Sequence, residues 1–424
     1  MITAKAFAGK QYALYGLARS GLATAEALLS SGARVSAWDA KEEARAKAPA
    51  GAEIADLDEA DLSMFDSLVV TPGLALNRHP IAKRAREAGV EIIGDIELFA
   101  RARSELPRHK VVGITGTNGK STTTALVHHI LRTAGVPTEM GGNIGLPILA
   151  QDPLGEGGVY VLELSSYQID LTKSLDCDIV VLLNITPDHL DRYESFEAYA
   201  ASKARLFEMQ SRQRVAIVDS VADADEGVLD NAAEPLIHFI DGSGLDQSNW
   251  PALQGPHNLQ NAAAAIAVCK SLGVGEGEIA LGLTSYPGLP HRMERVREKD
   301  GILFINDSKA TNPTATAPAL AAFEKLRWIC GGLAKTDNLD ECEPYFDHVR
   351  KAYTIGEAGE LFASLLSPHM DVAQCETLER AVGEAAAEAV SGDTVLLSPA
   401  CASFDQFRDF EDRGDQFREL VEGL

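Results

Sequence analysis

The chain has 424 residues, 46% of them hydrophobic and 24% charged. This length suits two to four domains, and the composition excludes wholesale disorder. The formal net charge of −24 disfavours nucleic acid or anionic lipid as a partner, because such surfaces attract basic patches. The N-terminal residues do not resemble a secretory leader, and no stretch has about 18 uninterrupted apolar residues. We therefore predict a cytoplasmic protein without membrane insertion.

The cysteines show neither a CxxC pair nor a metal-ligand spacing, so we predict reduced, buried thiols. They are Cys177, Cys269, Cys330, Cys342, Cys375 and Cys401.

Short β-rich runs, glycine-rich turns and alanine-rich helical stretches recur in three sets, a pattern typical of α/β units with parallel sheets. In the first set, residues 1–105, strands are predicted at 12–16, 67–71 and 90–94, and a further strand is predicted to end at Asp39. Residues 101–110 are polar and contain a proline, which predicts a linker.

The second set, residues 106–290, has predicted strands at 111–115, 159–164, 179–185 and 215–219. In the third set, residues 291–424, strands are predicted at 302–305, 328–330, 352–355 and 395–397, and a helix at 378–390. No repeat of the solenoid type interrupts this order.

A candidate phosphate-binding loop, Gly113-Ile-Thr-Gly-Thr-Asn-Gly-Lys-Ser-Thr122, follows a predicted strand and opens a predicted helix. Glycines let backbone N–H groups converge on phosphate at the helix start, Lys120 adds charge, and the Ser121 hydroxyl can ligate magnesium. The strict motif has a glycine where this chain has Ile114, so Gly116 provides the first flexible turn. An ordinary glycine-rich turn is the alternative, but Gly-Lys-Ser-Thr in this setting favours a nucleotide site.

Two further side chains are candidates for a metal site near this loop. Glu163 ends a predicted strand, where it could ligate magnesium or lie solvated. His189 follows the next strand, although a lone histidine is usually structural. Lys203, taken alone, is interpreted as an exposed lysine of a helix.

The first set carries a variant dinucleotide fingerprint, Gly16-Leu-Ala-Arg-Ser-Gly21, followed by Asp39. Ala18 replaces its middle glycine. A nicotinamide dehydrogenase is one interpretation, and the phosphate loop downstream argues against it.

Several motifs together resemble the Mur ligase family, in family order and over nearly the whole chain. They are the phosphate loop, Gly142-Asn143, Glu163-Leu-Ser-Ser, Asn184-Ile-Thr-Pro-Asp-His189-Leu-Asp-Arg192, His257-Asn258-Leu-Gln-Asn261, Pro290-His-Arg292 and Asn306-Asp-Ser-Lys-Ala-Thr-Asn312. Three segments resemble the D-glutamate-adding member in particular: Gly94-Asp-Ile-Glu-Leu-Phe99, Asp307-Ser-Lys-Ala-Thr-Asn312 and Ser398-Pro-Ala-Cys-Ala-Ser-Phe-Asp-Gln-Phe407.

The resemblance implies three consecutive α/β domains, with Rossmann-like N- and C-terminal domains flanking a central P-loop ATPase-type domain. It implies ATP and two Mg2+ ions as cofactors, with Lys203 carbamylated so that it becomes a carboxylate-like ligand. The catalytic residues would be Lys120, His189 and Lys203, and the metal ligands Ser121, Glu163, His189 and Lys203. The nucleotide would be held by Gly116, Thr117, Asn118, Gly119, Lys120, Ser121, Thr122, Asn258, Asn261, Arg292 and Asp307.

The resemblance also assigns the two other substrates. Uridine diphosphate would contact Arg19, Ser20, Asp39 and Gly73, and Asn143 with His189 would face the reacting end of the acceptor. Glutamate would contact Lys309, Thr311, Lys335, Ser403 and Phe410. Where many relatives have Gly-Gly-Asp-x-Lys, this chain has Gly331-Gly-Leu-Ala-Lys335, so an acid that could touch the amino acid's ammonium group is missing.

The implied reaction is the ATP-dependent addition of D-glutamate to UDP-N-acetylmuramoyl-L-alanine through an acyl-phosphate and a tetrahedral intermediate. We expect a monomer with small-molecule substrates and no nucleic acid partner. Another amino-acid-adding Mur-type ligase, including one for L-glutamate, and a P-loop NTPase that ligates nothing remain alternatives. An NTPase would hydrolyse ATP without an acceptor.

Overall fold

The computed structural model describes residues 1–187, 192–220 and 227–424. These residues form two compact units. The first comprises Met1–Ser243 and Gln260–Leu283, and the second comprises Gly244–Leu259 and Thr284–Leu424.

The first sheet has the strand order β3-β2-β1-β4-β5, all parallel, as in half of a Rossmann fold. Its apolar central strands are buried, as expected when helices cover both faces of a parallel sheet. The strands are β1 (Gln11–Tyr15), β2 (Arg34–Trp38), β3 (Glu53–Ile54), β4 (Ser67–Val70) and β5 (Glu91–Ile93). The helices are α1 (Arg19–Ser30), α2 (Glu42–Arg45), α3 (Pro80–Glu87) and α4 (Asp95–Ala102).

The second sheet lies in the same unit and is also parallel throughout, with the order β11-β10-β9-β6-β8-β7. Its strands are β6 (His109–Thr115), β7 (Thr138–Gly142), β8 (Gly158–Glu163), β9 (Ile179–Leu182), β10 (Val215–Val218) and β11 (Leu236–Phe239). The helices that follow these strands are α5 (Lys120–Thr133), α6 (Ser166–Asp170), α7 (Phe196–Glu208), α8 (Pro256–Ser271) and α9 (Glu276–Ser285). Because β6 pairs with both β8 and β9, the residues that follow these three strands meet at one edge of the sheet.

The third sheet belongs to the second unit and has the order β12-β13-β17-β14-β15-β16. β12 runs antiparallel to β13, and the other pairs are parallel. The strands are β12 (Glu294–Lys299), β13 (Ile302–Asn306), β14 (Leu326–Gly331), β15 (Val349–Ile355), β16 (Asp371–Glu376) and β17 (Thr394–Leu397). The helices are α10 (Pro313–Ala322), α11 (Gly359–Leu366), α12 (Leu378–Glu388) and α13 (Phe410–Glu422). Short 3-10 helices lie at Lys5–Phe7, Leu62–Met64, Arg103–Glu105, Ile148–Ala150 and Glu343–His348.

The predicted fold of three consecutive α/β domains is confirmed, and every predicted strand is present. The described strands that the sequence pattern missed, β3, β7, β11, β12 and β16, all lie at sheet edges. An edge strand has a neighbour on one side only and tolerates the polar and glycine residues that hide its pattern. The domain boundaries at 105/106 and 290/291 remain predictions.

The predicted linker at residues 101–110 is wrong at both ends, and only residues 103–108 connect α4 to β6. Arg101 lies in α4 and His109 already begins β6. Arg101 is not solvated, since it pairs with Glu91 and Glu97.

The prediction for the cysteines is confirmed, because all six are unpaired and buried. Within the described ranges, no helix combines the length and the apolar character needed to cross a bilayer.

Candidate active site

The phosphate loop connects β6 to α5 through two glycines with positive φ. Gly116 has φ of 147° and Gly119 has φ of 84°. A Cβ on Gly119 would stand 2.2 Å from Oδ1 of Asn261, so both the backbone conformation and the space require glycine. The loop therefore presents the first N–H groups of α5 at the sheet edge, an arrangement that suits an anion.

A residue that the sequence did not single out as functional, Asn184, fixes the shape of this loop. Its backbone oxygen accepts a hydrogen bond from Thr117 N at 2.9 Å. Its side chain accepts from Asn118 N at 2.9 Å and donates to Asn118 O at 3.2 Å. Its position just beyond β9, next to β6 in a parallel sheet, is the signal that could have predicted this contact.

Polar side chains occupy the start of α5, and the first of them, Lys120, turns back to the loop. Lys120 Nζ donates to Gly116 O at 3.0 Å and to Thr117 O at 2.8 Å. Ser121 is buried and Thr122 half-buried in the first turn. Next to Thr122, Thr123 Oγ1 donates to Asn261 Oδ1 at 3.2 Å, which brings the predicted nucleotide ligand Asn261 close to the loop.

Glu163 ends β8 beside the loop, paired in register with Ile114 of β6. It is only 2% exposed, so the alternative of a solvated glutamate is wrong. Its Oε1 accepts from Asn143 Nδ2 at 3.0 Å, and its Oε2 is one of the buried oxygens of the described residues that have no hydrogen-bond partner. A buried carboxylate oxygen without a partner is costly unless a cation occupies its open side.

Lys203 is not an exposed helix lysine, which corrects the interpretation from sequence. Its side chain is 1% exposed, and its Nζ donates to Gly116 O at 2.9 Å. The ammonium lies 4.5 Å from the ring centre of Tyr199, and the Tyr199 hydroxyl lies 3.1 Å from Thr117 Oγ1. α7 thus brings Lys203 into contact with the phosphate loop. In sequence, Lys203 lies fourteen residues after His189, the other predicted catalytic residue of this region.

His189 falls outside the described residues. Among those that are described, no group of three or more histidine, cysteine, aspartate or glutamate side chains could hold a metal ion. The remaining oxygen donors still fit Mg2+, a hard cation that takes few carboxylates and keeps several waters. Among the described residues, the unpartnered Oε2 of Glu163 and the hydroxyl of the buried Ser121 are oxygen donors of the kind that Mg2+ takes.

The dinucleotide fingerprint forms the tight turn that it predicts. Gly16 has φ of 102°, and a Cβ on Gly21 would stand 1.9 Å from Gly16 O. Asp39 accepts hydrogen bonds from Leu17 N at 2.8 Å and from Lys41 N at 2.9 Å, so it shapes the turn itself.

The other predicted contacts of the uridine diphosphate lie around this turn and on the loop after β4. Arg19 is exposed and Ser20 half-buried at the start of α1, and Arg19 Nη2 donates to Gly145 O at 2.6 Å. Gly73 is exposed, and its carbonyl accepts from Arg192 Nη2 at 3.1 Å.

Three predicted nucleotide ligands belong to the second unit. Asn258 is buried and donates to Gln254 O at 3.0 Å. Arg292 lies in an isolated antiparallel bridge with Leu289. Asp307 is buried and accepts from Met293 N at 3.1 Å and Ser398 Oγ at 2.7 Å, and burial raises its pKa to about 7.

The predicted glutamate ligands also lie in the second unit, four of them on loops after β13, β14 and β17, and Phe410 at the start of α13. Lys309 Nζ lies 3.8 Å from the ring centre of Phe410, and Lys335 Nζ lies 3.4 Å from Thr311 Oγ1. Ser403 is buried and follows Ala402, which pairs with Leu333 through two backbone hydrogen bonds of 2.9 Å. The departure from Gly-Gly-Asp-x-Lys therefore lies directly beside the segment that carries Ser403.

A second residue that the sequence did not flag, Arg413, ties two of these loops together. It is fully buried, and its guanidinium donates to Ser308 Oγ at 2.9 Å and to Cys401 O at 3.1 Å. Burial lowers its pKa to about 10.

Family models match three consecutive parts of the chain. Residues 10–94 match the Mur ligase MurD-like N-terminal domain, residues 114–249 the Mur ligase middle domain, and residues 291–401 the Mur ligase glutamate ligase domain.

Solved structures of the same fold have low sequence identity to this chain. UDP-N-acetylmuramate-alanine ligase MurC from Thermotoga maritima has a TM-score of 0.61 at 18% identity, covering 98% of this chain and 99% of that chain. MurF from Thermotoga maritima in complex with ADP has a TM-score of 0.60 at 17% identity, covering 87% and 97%. At such identities the likeness concerns the fold alone.

Full-length relatives are far more similar in sequence. UDP-N-acetylmuramoylalanine–D-glutamate ligase from Novosphingobium aromaticivorans is 60% identical, covering 100% of this chain and 97% of the relative. The protein with the same name from Sphingopyxis alaskensis is 58% identical, covering 100% of both. With this identity along its whole length, the chain belongs to the Mur ligase family, beside the relatives named as D-glutamate ligases.

Proposed function

We infer that this protein is an ATP-dependent ligase that joins D-glutamate to the L-alanyl carboxylate of UDP-N-acetylmuramoyl-L-alanine, a step in peptidoglycan precursor synthesis. The single observation that carries this assignment is the 60% identity, along the whole chain, to a relative named for that reaction. The phosphate loop, with Glu163 and Lys203 beside it, supports this assignment. The chain would act as a cytoplasmic monomer.

Mur ligases use ATP and Mg2+. For this chain we propose two ions, with Ser121, Glu163, His189 and a carbamate on Lys203 as protein ligands. Carbamylation would replace the ammonium by oxygen donors where the buried Lys203 meets the phosphate loop. Bound Mg2+ supplies positive charge that offsets the charge developing on the transferred phosphoryl group.

In the first step the L-alanyl carboxylate attacks the γ-phosphate of ATP, which forms an acyl-phosphate and releases ADP. The backbone N–H groups of residues 116–122 hold the phosphates, and Lys120 stabilises the developing negative charge. In the structure, the Lys120 ammonium donates to Gly116 O and Thr117 O and so lies at the loop. To bind ATP it needs only to exchange these two partners for phosphate oxygens.

In the second step the amine of glutamate attacks the acyl carbon, passes through a tetrahedral intermediate and expels phosphate. The amine must lose a proton to react, and the region of His189 and Lys203 is proposed to receive it. Asn143 would orient the acceptor's carbonyl, since its backbone and side chain are both fixed by Glu163. Acyl-phosphates hydrolyse readily, so the reaction requires that water be excluded.

The two carboxylates of glutamate call for cationic and hydroxyl partners, which Lys309, Lys335, Thr311 and Ser403 provide. Phe410 holds the Lys309 ammonium at its ring face. Asn258, Asn261, Arg292 and Asp307 are proposed to contact the nucleotide, and Arg19, Ser20, Asp39 and Gly73 the uridine diphosphate.

Phosphate release tests this function directly. Purified protein with ATP, Mg2+ and UDP-N-acetylmuramoyl-L-alanine is given D-glutamate, L-glutamate, other amino acids or none. Release with D-glutamate alone is expected. Release with L-glutamate would indicate that Leu333 and Ala334 mark an altered specificity, and release without any amino acid would favour an NTPase over a ligase.

A further inference from the structure

The motif Gly94-Asp-Ile-Glu-Leu-Phe99 takes part in none of the chemistry described above, yet it contains one of the most extensively bonded carboxylates of the first unit. Glu97 lies on α4, outside the second sheet, and its side chain is 1% exposed. Its Oε2 accepts from Lys173 N at 2.7 Å and from Ser174 N at 2.9 Å. Its Oε1 accepts from Ser174 Oγ and from Arg101 Nε, each at 2.9 Å.

The same segment of the chain, residues 171–174, is held at a second point by Gly94. Gly94 N donates to Leu171 O at 3.0 Å. A Cβ on Gly94 would stand 3.1 Å from the Leu171 Cβ, so the glycine permits a close approach. The start and the end of segment 171–174 are thus both attached to the helix that follows β5.

Charges around Glu97 reinforce this attachment. Arg101 binds Glu91 with two hydrogen bonds of 2.6 and 3.0 Å, and Lys173 Nζ reaches Glu91 at 3.0 Å. The Arg101 guanidinium holds the pKa of Glu91 down at about 2. Two carboxylates, of Glu91 and Glu97, and two cations, of Arg101 and Lys173, therefore neutralise each other's charge in a partly buried network. This network joins the first sheet region to the second.

The first residue of segment 171–174, Leu171, lines a cleft. Pro72 and Leu74, on the loop after β4, face Tyr167, Leu171 and Arg192 across a space of about 140 Å3. The loop after β4 carries Gly73, and its carbonyl is bound by Arg192. Leu171 therefore both lines this cleft and accepts the hydrogen bond from Gly94 at the start of α4.

The segment is also connected to the helix that carries Lys203. Arg205 Nη2 donates to Thr172 O at 3.0 Å, and Ser202 Oγ donates to Asp170 Oδ1 at 2.7 Å. Both donors lie on α7, within two residues of Lys203 in sequence.

From these contacts we propose that Glu97 is a positioning residue for the acceptor substrate. It holds segment 171–174 at the distance from the first sheet at which the acceptor fits into the cleft. Through the contacts of this segment with α7, it also fixes the position of Lys203 relative to the cleft. This role deepens the proposed function and rests on it. Glu97 itself touches no reacting atom.

The test compares Glu97→Ala with a matched control, Asp176→Ala. Asp176 also accepts from a backbone N–H, a serine hydroxyl and an arginine, through Ser211 and Arg214, but all of these partners belong to the second sheet region. Steady-state kinetics with each substrate varied in turn separate KM from kcat. For Glu97→Ala the KM for UDP-N-acetylmuramoyl-L-alanine should rise by about tenfold or more, since hydrogen bonds to a charged group are lost. The KM for ATP and for D-glutamate should change by less than about threefold.

Glu97→Gln keeps an oxygen for the two N–H groups but turns an amide N–H towards Arg101, so its acceptor KM should lie between wild type and Glu97→Ala. Amide hydrogen exchange provides a readout that needs no turnover. The Lys173 and Ser174 amides should exchange faster in Glu97→Ala and remain as protected as wild type in Asp176→Ala.

An unchanged acceptor KM in Glu97→Ala, or equal losses in all kinetic constants in both alanine variants, would overturn the positioning role. If the wild type shows no acceptor-dependent turnover, the proposed function fails. Calorimetric titration of the acceptor into wild type and Glu97→Ala then tests the positioning role of Glu97 independently of turnover. Equal affinities would reject this role, and weaker binding by the variant would support it.

Discussion

Replacement of Gly119 by alanine tests the geometry of the phosphate loop. At φ of 84° an alanine costs about 1–2 kcal/mol in backbone conformation. Its Cβ would also stand 2.2 Å from Asn261 Oδ1 and 3.2 Å from Leu183 Cδ1, and overpacking of this kind costs about 1–3 kcal/mol more. We therefore expect Gly119→Ala to lower the free energy of unfolding by about 2–5 kcal/mol and to weaken nucleotide binding.

Gly135 is the matched control, because it lies just beyond the other end of α5, has φ of 72°, and has no atom within 4 Å of a built Cβ. Gly135→Ala should lose only the backbone part, about 1–2 kcal/mol, and bind nucleotide normally. The assays are urea unfolding followed by circular dichroism and titration with a fluorescent ADP analogue.

The double variant Gly119→Ala/Asn261→Ala removes the atom that the new Cβ would meet. Its loss of stability should be smaller than the sum of the two single losses by about 1–3 kcal/mol. Equal losses in Gly119→Ala and Gly135→Ala, together with strict additivity in the double variant, would refute the steric reasoning.

Three further predictions concern buried or charged groups. Burial raises the pKa of Asp95 to about 6, above its value of about 3.8 in the unfolded chain. Between these two pH values the folded state binds more protons than the unfolded state. The free energy of unfolding therefore falls as the pH rises from about 4 to 6. Asp95→Asn should therefore gain up to about 3 kcal/mol relative to wild type at pH 8 and nothing at pH 3 in urea unfolding, and a pH-independent difference would contradict the raised pKa. Glu163→Gln should lower kcat by about 100-fold to 1000-fold and raise the Mg2+ concentration needed for half-maximal activity. The control Glu139→Gln, at an exposed position of β7, should behave as wild type. If Glu163→Gln keeps its kcat, Glu163 is not a metal ligand. Lys335→Ala should raise the KM for D-glutamate by about tenfold to a hundredfold. Lys351→Ala, which loses an ion pair to Glu388 and a contact with the Tyr353 ring, should leave this KM unchanged. An equal effect of both variants would reject the amino-acid pocket.

The central strands and the phosphate loop could be predicted from sequence because their signals are local. Apolar runs such as those of β6 and β8 are buried on both faces, and the glycines of the loop stand where positive φ is needed. Edge strands could not be predicted in the same way. β12, Glu294–Lys299, is charged along its length because it has a sheet neighbour on one side only.

The environment of Lys203 could not be derived from local pattern, since the helix around it also contains exposed charged residues. Its burial results from the position of α7 against residue 116, a contact between residues 87 positions apart. The Glu97 contacts to residues 173 and 174 are likewise distant, at 76 and 77 positions. Only the three-dimensional fold brings these groups together, although the family resemblance had already singled out Lys203.

Transfer of isotope from the acceptor tests the central claim most directly. The L-alanyl carboxylate of UDP-N-acetylmuramoyl-L-alanine is labelled with oxygen-18, and the reaction is run with ATP, Mg2+ and D-glutamate. If the carboxylate is activated as an acyl-phosphate and then attacked by the amine, each molecule of amide product is accompanied by one phosphate that carries a single labelled oxygen. Unlabelled phosphate formed without amide would mean that water, not the acceptor, attacks ATP, and would contradict the assignment as a ligase.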